Sequence, residues 1–211
     1  MNLTNVSDSL GGKAAIWELF STHPPSLQMY VRLCASCEYL CRILTRNPGM
    51  IDELTDALVI QNLPDLEVLD DTLRELLVGA EDIDPIIHSF KDSQHLRVGI
   101  RDITGQDEIT RTHRSLAHIA EVCIKQVVEL EQLKLVERLG QPVDSEGQPV
   151  AMQILAMGKL GGREPNYHSD LDLVFLYDSD SSNFVGGKGT CLLYTSPSPR
   201  DQRGSRMPSS A

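Results

Sequence analysis

Positive charge is in short supply in this chain: its 211 residues carry 19 Lys and Arg against 30 Asp and Glu, a formal net charge of −11. Phosphate backbones are held by clustered Lys and Arg, so this balance argues against a nucleic-acid interface and makes another protein the expected macromolecular partner. Also missing is any apolar run near the roughly 20 residues that a membrane-spanning helix needs. The opening MNLTNVSDSLGGK has neither the basic nor the apolar region of a secretory signal. A cytoplasmic protein without membrane contact is the expectation.

The cysteines, Cys34, Cys37, Cys41, Cys123 and Cys191, are odd in number and lack the spacing of a disulfide framework. Cys34-x-x-Cys37 has the spacing of a redox or zinc pair, but no second ligand pair follows. Cys41 completes a helical stripe with them, so small buried thiols are expected.

What the sequence does contain, for most of its length, is helical periodicity. Residues 1–25 form an N-terminal segment, flexible to Gly12, with a short helix over Lys13–Ser21 broken by Pro24-Pro25. Residues 26–140 read as a helical region. Ser26 is the expected N-cap of a helix running to about Arg46, with Leu27, Tyr30, Val31, Cys34 and Leu44 on one face. A second helix carries Met50, Ile51, Leu54 and Leu58, and a third covers Leu66–Val78 and stops at Gly79. Asp84-Pro85 predicts a cap and first-turn proline opening a helix to about Asp102. The longest helix is predicted from Gln106 to Leu139, ended by Gly140 and Pro142. On it, the five-residue separation of His113 and His118 does not place them on one face, which favours solvated or packing roles. Gln141–Pro149 is a polar loop and the expected boundary before a head at 149–190.

The head opens on VAMQILAMGKLGGREPNYHSDLDLVFLYD, Val150 to Asp178. Val150–Met157 and Leu171–Tyr177 have the β-branched and aromatic content of short buried strands. Between them Gly158, Gly161 and Gly162 supply backbone without Cβ, whose amides can approach a phosphate closely. At the start of the second strand the two-residue period sends Asp170 and Asp172 to one face, and Leu171 to the other. Two hard oxygen ligands beside a phosphate cradle suit Mg²⁺, which binds through one or two carboxylates plus substrate phosphates. The turn is not a Walker loop, because no Lys-Ser or Lys-Thr follows at the required spacing. Glycine turns are common and a lone Asp-x-Asp is more often a solvated turn. The joint order, strand, glycine turn, then two carboxylates that repel unless a cation separates their charge, favours a nucleotidyl-transfer site.

The string GKLGGREPNYHSDLDLVFLY resembles the nucleotidyltransferase motif of the glutamine synthetase adenylyltransferase and adenylyl-removing family, within the polymerase-β-like superfamily. Leu96–Gln126 resembles the helical stretch preceding a head of that family, and weaker resemblance extends back to about Ser26. The resemblance implies an α+β fold, a mainly helical region followed by the start of a polymerase-β-like domain that is incomplete at its C-terminus. It implies Asp170 and Asp172 as the catalytic, Mg²⁺-binding pair, and Gly158, Lys159, Gly161, Gly162 and Ser169 as the nucleotide-phosphate side. Arg163, Glu164, Asn166 and Tyr167 belong to the same string, with shaping the turn as plausible a role as touching substrate. ATP would be a substrate, glutamine synthetase the protein substrate and a PII-type nitrogen-signalling protein a further partner. Both heads of such enzymes share the motif; Asp-Leu-Asp-Leu before Val-Phe-Leu-Tyr leans toward the transferring one.

Cys191–Ala211, CLLYTSPSPRDQRGSRMPSSA, follows no helical or strand period and resembles an in-frame translation of a sequencing adapter, with an index at Gln202–Gly204. Residues 191–211 are therefore expected to be a non-native, disordered tail. The superfamily's third carboxylate comes from a later strand that the sequence after Asp178 does not supply, so the chain as written is expected to be inactive. Two other readings compete: a catalytically inert helical interaction or regulatory module, and another nucleotidyltransferase of the superfamily.

Overall fold

A computed structural model describes residues 20–51, 62–177 and 183–186. The helices expected over Lys13–Ser21 and Met50–Leu58 lie largely outside these residues, and the tail at 191–211 wholly so. The described chain is α+β, mostly helical with two small antiparallel sheets.

Helix α1 (Pro24–Ser36) begins at the prolines expected to precede it, because Pro at the first helical positions lacks only an N–H that would be unpaired there anyway. Ser26 consequently lies inside the first turn instead of capping it, with its Oγ 2.7 Å from His23 Nδ1. The single helix expected to Arg46 is also divided. Cys37 adopts extended backbone (φ −142°, ψ 107°) and α2 (Glu38–Arg46) starts after it. Ser and Cys are weak helix formers, and the break lets two short helices, instead of one straight rod, pack against a common neighbour.

That neighbour is α4 (Asp84–Ile103), preceded by α3 (Leu66–Leu77) and followed by α5 (Ile109–Leu139). Asp65 caps α3 by accepting from Val68 N at 3.1 Å. At the start of α4 the carboxylate that accepts a backbone N–H belongs to Asp82, which receives Asp84 N at 3.1 Å, so the capping role expected of Asp84 falls two residues earlier. One side of α4 places Leu96 and Ile100 in a core with Leu33, Leu40 and Leu44. Its other side sends Phe90 and Val98 into a second core with Leu69, Leu73 and Ile119. Each fully buried aliphatic side chain contributes about 1.5–3 kcal/mol, so α4 holds the helices together from both sides.

Close approach of α2 to α4 depends on Gly99, where a Cβ would come within 2.2 Å of Leu40 Cδ1. Leu40 is itself only 1% exposed and has little room to withdraw. Gly99→Ala should therefore lower unfolding free energy by about 1–3 kcal/mol despite alanine's better helix propensity. Urea denaturation measures it; an unchanged or raised midpoint would show that the two helices do not pack this closely.

Polar groups join the remaining helices. Asp70 on α3 accepts from Lys125 Nζ at 2.6 Å and from the buried Gln126 Nε2 at 2.7 Å on α5. Arg101, 6% exposed at its side chain, bonds Asp107, 1% exposed, through Nε and through Nη2 at 2.9 Å. This ion pair closes the α4–α5 turn, which Gly105 enters with φ +68°.

The chain divides into two compact units, one of residues 1–131 and 152–177, the other of 132–151 and 178–211. In the second, the expected polar loop at 141–149 contains a strand. β1 (Gly140–Val143) pairs antiparallel with β4 (Asn183–Gly186), and Val143 bridges to Pro149. Asp144 organises the turn by accepting from Glu146 N at 2.9 Å and Gln148 N at 2.8 Å. In the first unit, β2 (Met152–Ala156) pairs antiparallel with β3 (Leu173–Tyr177), from Met152 opposite Tyr177 to Ala156 opposite Leu173. The expectation of a short buried strand is overturned: Val174, Phe175 and Leu176 are 41%, 53% and 49% exposed. Among the described residues this sheet has two strands, and it exposes apolar side chains on both faces.

Candidate functional site

The glycine turn between β2 and β3 is a short helix, α6 (Gly158–Gly161), anchored by the buried Leu160. Gly158 lies at φ +54°, and a Cβ on it would sit 2.8 Å from Asp172 Oδ2. A bare backbone at this position lets the carboxylate close over the turn. Met157 N donates to Asp172 O at 2.8 Å, fixing the same approach through the main chain. Gly161 is needed for a different contact, since its Cβ would strike Ala156 O at 2.5 Å.

The amides of the glycines are not equally available. Gly161 N and Gly162 N each donate at 3.0 Å to Met157 O and Gly158 O, so they shape the turn and do not face outward to a phosphate. Gly158 and Lys159 open the turn, ahead of any carbonyl four residues back within it. Lys159 is exposed and, among the described residues, in no ion pair.

Asp170 and Asp172 occupy the chain leading into β3, which begins at Leu173 instead of the expected Leu171. Both are exposed, and neither is paired with a cation among the described residues. Among those residues there is no group of three or more His, Cys, Asp or Glu placed to hold a metal. The donor set is thus two unpaired carboxylates beside a turn too close for a Cβ, which fits Mg²⁺ carried in with substrate phosphates.

Ser169 is engaged in a local turn. Its Oγ accepts from Asn166 N at 2.9 Å and donates to Asn166 Oδ1 at 3.0 Å, closing the Asn166–Ser169 turn. His168 N donates to the same Oδ1 at 3.1 Å. The two Ser169 Oγ bonds engage the hydroxyl proton and one lone pair in building the turn and leave its second lone pair for a further donor. Arg163, in the left-handed region at φ 55°, ends α6 and reaches Glu121 Oε1 on α5 at 3.2 Å.

A family model described as glutamate-ammonia ligase adenylyltransferase matches residues 27–190, covering α1 through the whole glycine–aspartate motif. The chain belongs to that adenylyltransferase family. Curated relatives named bifunctional glutamine synthetase adenylyltransferase/adenylyl-removing enzyme include one from Pasteurella multocida, 32% identical over 88% of this chain and 20% of its own length. Another, from Vibrio parahaemolyticus, is 32% identical over 81% of this chain and 19% of its own length. That from Shewanella frigidimarina is 29% identical over 88% of this chain and 20% of its own. The chain spans about a fifth of the length of these relatives.

In this adenylyltransferase-family chain the motif is held by its own Tyr167 and by Tyr39 and His95, which sequence reasoning missed. Tyr167 packs against both helical cores and donates to Asp102 Oδ2 at 3.4 Å, and burial pushes its pKa up. Tyr39 of α2 stacks edge-on with His168 at 4.8 Å between ring centres and bonds His95 Nδ1 of α4 at 2.7 Å. Burial lowers His95 to about 4, so its ring is neutral at pH 7. Tyr39 and His95 lie far from the motif in sequence, and no local pattern marks them.

Burial makes Cys34 and Cys41 unreactive. Cys34 and Cys41 lie with Sγ atoms 3.1 Å apart in the first core, and burial raises both, Cys34 to about 12. The four described cysteines are free, as expected. Among the described residues no helix is long and apolar enough to cross a membrane.

Proposed function

We propose that this chain is part of a cytoplasmic enzyme that moves an adenylyl group between ATP and a tyrosine hydroxyl of glutamine synthetase. The observation carrying this reading is Asp172 drawn over Gly158 at the mouth of the glycine turn, in a chain that belongs to the adenylyltransferase family. Asp170 and Asp172 are the residues that would hold Mg²⁺, which when bound supplies charge neutralisation at the phosphates. Lys159 offers its exposed ammonium to the triphosphate, and the first amides of α6 lie beside it. Gly161 and Gly162 keep the turn tight enough for Asp172 to reach it.

In the forward direction the tyrosine oxygen forms a bond to the α-phosphorus, the bond to pyrophosphate breaks, and the tyrosine proton leaves to solvent or base. In the reverse-acting head, phosphate takes the adenylyl group from tyrosine and ADP departs. Either reaction relies on positioning and fixed charge, which is what a rigid turn with two carboxylates provides. A PII-type signalling protein is the further partner that the family resemblance implies.

The test uses the longer gene product that contains this segment, with labelled ATP and glutamine synthetase. Label on a glutamine synthetase tyrosine is expected, or ADP release from the adenylylated protein on adding phosphate. Neither reaction occurring would sink the proposal. For the chain by itself, the absence of a third carboxylate among the described residues favours a second reading, an inert helical module that binds without turnover.

A further inference from the structure

The Asn166–Ser169 turn and Leu171 form one wall of a cavity of about 370 Å³ set between α2, α4 and α5, all within the first compact unit. Ser169 and Leu171 line it; Asp170 and Asp172, which alternate with them, do not. Asp172 instead meets Gly158, so the cavity and the glycine turn are lined by different residues of this segment. Its volume is within the range of small-molecule sites.

The lining has two characters. Tyr39, His95, Tyr167 and His168 contribute rings to the lining, and Ile119 and Ala120 contribute apolar side chains. A smaller pocket of about 150 Å³ shares Tyr39, Lys91 and His168 with the cavity and adds Arg42, Arg46 and Asp92. Asp92 is already engaged, by Lys91 Nζ at 2.7 Å and Asn47 Nδ2 at 3.2 Å. Arg42 and Arg46 stand one turn apart on α2, exposed and in no ion pair among the described residues. In a chain of net charge −11, this leaves two guanidinium groups without an ion-pair partner among the described residues, beside a ring-lined cavity. Paired guanidinium forks match phosphate oxygens in charge and geometry.

Tyr39 Oη lies 2.7 Å from His95 Nδ1. Lys91, Arg42 and Arg46 carry donors only, so a ligand accepting hydrogen bonds is favoured beside them.

We propose that this cavity is a second binding site, separate from the glycine turn, for a phosphate monoester carrying a flat heteroaromatic ring, of the nucleoside monophosphate class. The ring lies against the packed cluster of Tyr39, Tyr167 and His168, and the phosphate takes Arg42 and Arg46. Because the occupant touches Ser169 and Leu171, it bears on the segment that positions Asp170 and Asp172.

Calorimetric titration of the 211-residue chain with AMP in EDTA tests this without calling on a metal site. Adenosine and inorganic phosphate, titrated separately, supply the two halves of the probe. AMP should bind at least about tenfold more tightly than either half. The exposed pair Arg42→Gln and Arg46→Gln should weaken AMP about tenfold or more while leaving adenosine unchanged, and Ala120→Phe should fill the cavity and abolish both. Asp172→Asn should bind AMP like the unaltered chain. Circular dichroism of each variant confirms the helices. The proposal is overturned if AMP does not bind at millimolar concentration, or binds no better than adenosine. It is equally overturned if Asp172→Asn removes binding while the Arg variant keeps it, which would put the nucleotide at the glycine turn. None of these readouts depends on adenylyl transfer, so the proposed reaction can fail or stand independently.

Discussion

Replacing Asp172 by Asn in the longer gene product is expected to lower adenylyl transfer by about a thousandfold or more with the fold intact. Asn keeps the size of the side chain at its close approach to Gly158 and removes only charge. The lost stabilisation appears where charge develops in the transition state, and several kcal/mol there correspond to roughly three decades in rate. Asp170→Asn should act alike, while Leu171→Val, on the other side of the segment, should cost some packing and little chemistry. Steady-state rates at saturating Mg²⁺ with matched circular dichroism spectra decide it. Near-normal transfer by Asp172→Asn would mean that this pair is not the metal site, and the functional reading would fall with it.

Asp107→Ala is expected to produce the largest loss of stability among single substitutions at the helix junctions, about 3–5 kcal/mol. The change leaves the Arg101 guanidinium buried without its carboxylate, and breaking one side of a buried pair costs far more than the intact pair contributes. Arg101 holds the Asp107 carboxyl below the ordinary carboxylate range, through the bond first and its charge second, against the opposing effect of burial. The folded protein therefore favours the ionised form more than the unfolded chain does. This stabilisation is complete above the ordinary carboxylate pKa and is lost as pH falls through the depressed folded value. Urea midpoints should separate wild type and Asp107→Ala widely at pH 7, and less at pH 3. A constant difference across that range, or one below 1 kcal/mol at pH 7, would show that the ion pair does not secure the α4–α5 turn.

Much of this architecture was legible because its causes are local. The apolar residues at three- and four-residue spacing mark α3, α4 and α5 within a few positions, since a helix buries whatever its own period aligns. Gly79 and Gly105 stop helices by adopting left-handed backbone that other residues resist. The glycine turn and the two aspartates were legible as an ordered pattern, and the close approach of Asp172 to Gly158 gives that order a geometric reason.

Other features have causes that lie outside the local sequence. Cys37 interrupts a run of helical spacing because α1 and α2 both bury against α4, a demand set by Leu96 and Ile100 more than fifty residues away. Pro142 lies in a strand because β4 offers it a partner, and a four-residue strand carries no period long enough to announce itself. Position in the motif marks Ser169, while its hydrogen bonds to Asn166 N and Oδ1 become visible only in the fold.

The sequence by itself determined that this is a mainly helical chain carrying a glycine turn followed by paired carboxylates, since periodicity, backbone permissiveness and like-charge repulsion act between near neighbours. Only the tertiary structure decided which faces that segment presents. It set the Asp172 carboxylate against the turn, and Ser169 and Leu171 along a cavity that Tyr39, Lys91 and His95 also line. Those residues meet because α2 and α4 share a core, and burial of apolar surface, being non-directional, brings polar groups together without leaving a pattern among their sequence neighbours.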